Sequence, residues 1–564
     1  MKITKNILLL GALLAPFSLL AQETCRVDQD KTLRLLSAEM KRSFKILKKQ
    51  NPPVYYLSYI LQDQTREDVA ASNGGIGQDR TFHRTNLEVL PRVGSPQMDN
   101  TRTLKKEYTD MNVKVYSIPT DAQDEKSFTT TLWYATEQAV KDAQALYSRV
   151  QADVQTSSQR QDDSADFVFP KKETFCQTQS FNTFDKGQIR RLLLKASELT
   201  KGKKFILSSN FYFRNEYGYR YFVDSVGTRI KEPFQLVRLG YEVNGRTKEG
   251  MEIQRGYSYD ILQEKDLPGE ELFFARVIKS IEELEEQLQA PDAEPIAVPV
   301  ILKNRAMGVF VHEVLGHRME GFRQKEDSFG RTFTDKIGQL VIAPFITIVD
   351  DPTLSYFNGV PLRGFYRYDN EGVKGSPAML VENGILKGFM MNNSPIKGFS
   401  ASNGHGRSDL GYRSVSRMSN TRLISSKTVP YEELETMLLE EVKKQGKPYG
   451  MVIEDISGGF AITDTFSPQT FNLSPTRMYR LYPDGRKEVV YGLNLVGTPL
   501  SSFGEIVATA DDYGIFNGNC GAESGWVPVS AIAPSTLLRT IELEKSNKTS
   551  QKLPLLPPPS AEVK

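Results

Sequence analysis

Histidine is scarce in this chain: four in 564. Cysteine is scarcer still, with three, at positions 25, 176 and 520. An odd count leaves at least one thiol over in an oxidising compartment, and sequence does not fix which two would pair. Pairing Cys25 with Cys176 would tie the N-terminus to its own half and leave Cys520 free. Net charge is also nearly absent, at +2. A balance this even gives no electrostatic case for a nucleic-acid partner, and no basic-aromatic cluster stands out. No fixed-period repeat is visible, which argues against solenoids and propellers.

The single long apolar run is at the start, MKITKNILLLGALLAPFSLLAQETC, where Lys2 and Lys5 precede Ile7–Ala21. It is short for a membrane span, which needs about 20 apolar residues, and small residues sit near its end. It reads as an export signal over 1–21. Its removal leaves 69 basic against 69 acidic side chains. The expected location is periplasmic or secreted, with no stable membrane span left after cleavage.

What remains is ordinary for a globular chain, with 39% hydrophobic and 25% charged residues. The length exceeds one usual core, so two domains are expected. Helical spacing marks 32–50, 127–155, a segment near 184–202, and 271–289. Between them lie apolar-polar alternations typical of antiparallel strands, with Asn244-Gly245 as a hairpin signal. The polar stretch SSQRQDDSAD reads as an exposed loop. APDAEP (290–295) is the best boundary candidate. A buried-looking strand follows, then a helix from near Asn304, then many short strands interrupted by one amphipathic helix, 431–447. The expected class is α+β: an N-terminal domain of antiparallel sheet with helices over 22–293, and a β-rich domain with an inserted helix over 294–545. The Pro-rich segment 546–564 reads as disordered.

Two of the four histidines fall in GVFVHEVLGHRMEG (308–321). A zinc-binding H-E-x-x-H helix sets its histidines at i and i+4. His312 and His317 are at i and i+5, about 140° apart on an ideal helix. One inserted residue, a π-bulge, would bring them to one face, and Gly316 is where the helix would most easily distort or end. A hydrolytic zinc site needs a third protein ligand. Glu320, His405 and Cys520 are candidates; Cys520 sits between Asn519 and Gly521 on an unhindered turn, and its thiolate would suit zinc.

These residues sit within a longer pattern. HEVLGHRMEG, VDD (349–351), DNEGVKG (369–375), LVENGILKG (380–388), SNGHGR (402–407), RMSNTRL (417–423) and GNCGAESGWVPVSAIAPSTL (518–537) together resemble the TldD/PmbA metallopeptidases, the modulator of DNA gyrase family. The resemblance runs in order over 296–543, and more loosely reaches LPRVGSPQMDNT (90–101). It implies Zn2+ held by His312, His317 and Cys520, with Glu313 as catalytic base, as in the TldD type that retains its ligands. It also implies a barrel-like C-terminal domain, and a homodimer or a heterodimer with a related subunit, enclosing a cavity for short or unfolded peptides. Glu320 would then orient His317. His405 reads as a loop histidine or a substrate contact, and Arg407 as a surface residue or a peptide anchor. Two other readings stay open. One is an exopeptidase like dipeptidyl peptidase III, whose third ligand comes from a downstream Glu-Glu pair; Glu432-Glu433 and Glu440-Glu441 are the pairs available. The other is a non-catalytic peptide-binding or scaffold protein.

Overall fold

The computed structural model describes residues 23–104, 111–119, 124–156, 162–325, 329–330, 332–463 and 469–546. The expected signal at 1–21 and the tail beyond 546 lie outside them.

The helical spacings become helices α1 (Lys31–Leu47), α2 (Glu125–Thr156), α3 (Lys186–Glu198) and α4 (Glu270–Gln289). Helix α1 shows why. Asp30 caps it, accepting from the Leu33 N–H at 2.9 Å, and Leu33, Leu36, Met40 and Leu47 bury one face. These helices pack on a nine-stranded, largely antiparallel sheet whose strands all come from 23–261. Two of its longest members, Val54–Ser72 and Gly75–Ser95, are joined at Asn73-Gly74. Both turn residues take positive φ, 49° and 78°, as a two-residue hairpin turn requires.

Asn244-Gly245, by contrast, lies inside the strand Arg229–Arg246, opposite Gln254 and Ile253, and is no turn. Glycine is needed there for space, since a Cβ would sit 2.6 Å from a Leu288 methyl group and 2.9 Å from the Phe205 carbonyl. The polar stretch near 162 is exposed only in part where it is described: Asp163 is exposed, Ser164 and Ala165 are half-buried, and Asp162 and Asp166 turn inward. Asp162 accepts the Lys397 N–H at 2.8 Å, and Asp166 pairs with Arg102 at 2.8 Å, so both acids are buried.

Beyond residue 295 the chain closes a five-stranded barrel from Ile296–Leu302, Gly450–Ala461, Phe471–Leu481, Leu493–Gly497 and Thr536–Lys545. The first strand closes it, pairing parallel with Gly450–Ala461 on one side and antiparallel with Thr536–Lys545 on the other. A six-stranded sheet, which includes Ile346–Asp350, Asn420–Ser425, Gly525–Ala533 and Gly514–Ala522, stands beside it. Helix α5 (Asn304–Val314) leaves the first barrel strand and lies between barrel and sheet. Nearly all its side chains are buried; Phe310 sets its ring edge-on to Phe471 and Phe503 at 5.5 Å each. A helix apolar over most of its surface belongs in an interior, and the run Ala306–Val311 with Val314 joins the main core.

Helix α5 ends before His317, and no π-bulge is present. Leu315 (φ −105°, ψ −51°) closes it, and Gly316–Met319 continue as a single 3₁₀ turn. Tightening the last turn swings His317 round without an inserted residue. Gly316 has a packing reason: a Cβ there would stand 2.0 Å from the Met418 sulfur. Gly316→Ala should therefore lower stability by about 1–3 kcal/mol, the usual cost of overpacking a filled core. A melting temperature equal to the parent's would refute this account of the glycine.

The two halves meet at Glu88, which is 3% exposed and accepts the Gly411 N–H at 2.7 Å. Burial pushes this carboxyl from its ordinary 4.5 up to about 7, with nearby Asp409 adding to the rise and the Gly411 bond opposing it. Between these values the unfolded chain ionises the group while the folded chain keeps its proton. Stability present in acid is thus lost as pH rises through about 7, by on the order of 3 kcal/mol. Glu88→Gln keeps an acceptor for Gly411 without the charge. It should melt above the parent at pH 8 and with it near pH 4.5; an equal difference at both pH values would remove this assignment.

Candidate metal centre

The end of α5, the following 3₁₀ turn and the strand Gly514–Ala522 bring three side chains together. His312, His317 and Cys520 place one potential ligand atom each within 4.8 Å of one another. They are 3%, 7% and 5% exposed. The imidazoles stand edge-on, centroids 5.2 Å apart, and Cys520 Sγ is 3.4 Å from His317 Nε2. Glu313, one residue beyond His312, points its Oε2 to within 3.7 Å of the same nitrogen. Glu432-Glu433 and Glu440-Glu441 lie on the helix Tyr431–Lys444 and join no such group among the described residues. Of the third-ligand candidates, the fold brings in Cys520 and leaves out His405.

Electrostatics shape each group. Burial alone would raise the Cys520 thiol, but His317, His312 and Arg417 outweigh it and hold the thiol well below its ordinary value. Burial would lower His317; the Cys520 thiolate and Glu320 instead drive it well above the usual imidazole range. Glu313 goes upward, mainly because burial penalises its charge, with the neighbouring imidazoles opposing. Glu320 is held down at about 2, since His317, Arg323 and Arg417 overcome its desolvation.

These residues fit a zinc ion. Two imidazoles and a thiolate are a borderline-soft donor set of the kind zinc takes. His312 Nδ1 is buried with no hydrogen-bond partner, an unmet polar atom of a kind folded proteins seldom leave. The second layer is built as well. Glu320 has no exposed surface and holds His317 Nδ1 at 3.3 Å. Such carboxylate–imidazole pairs fix a ligand's tautomer and ring orientation. Arg323 donates to Glu320 at 2.8 Å and doubly to Glu523, at 2.9 and 2.6 Å.

His405 is a core residue. Its ring nitrogens face Asp350 at 3.1 Å and Asn403 at 2.7 Å, and it has no exposed surface. Arg407 is neither on the surface nor reaching for a peptide; it is buried, bonds the Met418 carbonyl and lies over the Tyr366 ring at 4.9 Å. Arg323, Arg417 and Glu523 were not foreseen as site residues. Arg417 and Glu523 stand within RMSNTRL and GNCGAESGW, but no spacing in the chain links either to His317.

A cavity of 1320 Å³ lies between the halves, walled by Leu90, Leu146, Phe322, Glu371 and Glu523 among others. None of the four central side chains lines it. It approaches them through Glu523, which Arg323 joins to Glu320.

Comparison with known proteins adds to this geometry. Residues 295–545 match the family model of the PmbA/TldA metallopeptidase C-terminal domain. A metalloprotease of Methanocaldococcus jannaschii is 27% identical over 333 residues, 57% of this chain and 67% of that protein. A metalloprotease TldD homolog of Haemophilus influenzae is 30% identical over 46% of this chain and 51% of its own. A zinc metalloprotease TldD homolog of Saccharolobus solfataricus is 26% identical over 54% and 62%. The chain thus spans about half to two thirds of the length of these relatives. Among solved structures, TldE from Thermococcus kodakarensis superposes with a TM-score of 0.60 at 13% identity, covering 90% of this chain and 100% of that one. A Thermotoga maritima protein described as a candidate modulator of a DNA gyrase gives 0.57 at 18%, covering 90% and 99%. Those two likenesses concern the fold. The domain match, the TldD-named relatives and the shared fold lead to one conclusion: residues 295–545 form a PmbA/TldA metallopeptidase C-terminal domain, and the chain as a whole is similar to the PmbA/TldD proteins.

Proposed function

We propose that the protein is a zinc-dependent peptidase of the TldD type, hydrolysing peptide bonds in short or unfolded chains. The observation that carries this reading is the convergence of His312, His317 and Cys520 within 4.8 Å, with the Glu313 carboxylate 3.7 Å from the His317 nitrogen. A structural zinc site has no use for such a carboxylate, which weighs against a scaffold protein.

A zinc ion held by these side chains supplies Lewis acidity, bringing the pKa of a water towards neutrality and polarising a carbonyl. Glu313 acts as general base: its carboxylate takes a proton from the attacking water as the new C–O bond forms. It then returns that proton to the departing amine nitrogen as the C–N bond breaks. Glu320 keeps the His317 ring in one orientation throughout.

Export belongs to the same proposal. It rests on the N-terminal sequence pattern and is supported by the Cys25–Cys176 disulfide, a bond that persists in oxidising compartments. No described helix is long and apolar enough to cross a membrane. A second subunit, identical or related, is proposed on the family resemblance alone.

Glu313→Gln should abolish peptide cleavage while zinc content stays near one equivalent; surviving cleavage would sink the general-base role. Cys520→Ser should lose zinc, seen by metal analysis of the purified protein, and retention at parental affinity would restore the rival ligand sets. Burial of the site further predicts discrimination by substrate shape. Unfolding a domain costs about 5–15 kcal/mol before any contact is made. A denatured, alkylated protein should be cut far faster than its folded form, and equal rates would rule out an enclosed site.

A further inference from the structure

Both segments that carry candidate ligands are gripped by one buried arginine. Arg417 has no exposed surface. Its Nη2 donates to the Cys520 carbonyl at 2.7 Å, and its Nη1 to Ser524 Oγ at 2.8 Å and the Gly525 carbonyl at 3.1 Å. Its Nε lies 3.3 Å from Glu320 Oε1, and Glu320 holds His317 Nδ1 at 3.3 Å. One guanidinium therefore hydrogen-bonds the backbone of one ligand and stands in ion-pair contact, without a hydrogen bond, with the carboxylate that orients another.

The anchor is itself fixed. The Arg417 N–H donates to the His405 carbonyl at 2.9 Å, and His405 is held by Asp350 and Asn403. Arg323 makes the useful contrast. It too neutralises Glu320, at 2.8 Å, and it grips Glu523, but no bond from it reaches a ligand's backbone. Positive charge beside Glu320 is thus supplied twice. Among the described side chains, Arg417 alone touches Glu320 and also donates to the Cys520 carbonyl.

We infer that Arg417 is the positioning residue of the metal centre: its planar fork sets the separation of Cys520 Sγ and His317 Nε2, here 3.4 Å, so that both meet one ion. The inference rests on the zinc reading above. Lysine cannot replace it, because a compact ammonium on a flexible stem carries the charge without the rigid fork.

The test uses the full chain. Arg417→Lys should weaken zinc binding about 10–100-fold, the usual cost of losing an outer support, read by competition with a chromophoric chelator. With Co2+ in place of zinc, the thiolate-to-metal absorption should weaken or shift. Arg323→Lys, which disturbs the charge but not the link to Cys520, should leave that absorption in place. A purely structural role would lower the melting temperature and leave metal affinity and the thiolate band unchanged, and that result would overturn the inference. Should Arg417→Lys not fold, Ser524→Ala removes one bond of the fork and keeps the arginine; it should still cost several-fold in zinc affinity, and unchanged affinity there would overturn the inference equally. If the unaltered chain binds no zinc, it is the zinc reading that fails.

Discussion

Glu320 is a carboxylate with no contact to solvent, and its charge is tolerable there only because His317, Arg323 and Arg417 surround it. An unpaired charge in such a place would cost several kcal/mol, so the groups around it cannot be rearranged independently. That constraint reaches outward. Arg323 ties Glu320 to Glu523, and Arg417 ties it to Cys520 and Gly525, so the hairpin Gly514–Ala533 is locked to the end of α5. The six-stranded sheet and the barrel are thereby held in one arrangement at the point where a metal would bind.

The apolar packing works towards the same end. Helix α5 is wedged between barrel and sheet, with Phe310 against Phe471 and Phe503 on one side and Gly308 close to the Ala531 carbonyl on another. A helix filled in on all sides cannot roll, so the direction in which His312 points is decided by core packing. Gly316 then lets the chain pass against Met418 while it tightens into the turn that carries His317. The two imidazoles are set by different means, one by a rigid helix and the other by a turn braced through a carboxylate.

Much of this could be read directly from the chain. The periodicity of TLRLLSAEMKRSFKIL gives α1 to within a few residues, because burial of one helical face leaves a 3.6-residue imprint. The clustering of His312, Glu313 and His317 marked the place where the fold gathers candidate metal ligands. Their i, i+5 spacing required a departure from an ideal helix, though local pattern could not choose between a bulge and an early end. Asn244-Gly245 misled because a glycine needed for close packing looks the same in sequence as one needed for a turn.

By itself, then, the sequence determined much of where helices and strands form and which residues are chemically able to bind a metal or move a proton. Those properties depend on side chains and their near neighbours. The open turn expected at Cys520 is instead a buried strand position opposite Val527, because Gly518 and Gly521 serve close packing within the hairpin. Tertiary structure alone decided that Cys520 stands beside His317, some two hundred positions away, and that Cys25 and Cys176 are joined. It also decided that Arg407 and His405 are core residues, and that Arg323, Arg417 and Glu523 brace the centre. Contacts of this kind are set by which strands pair across the barrel and its neighbouring sheet, and nothing in the local spacing of residues records that choice.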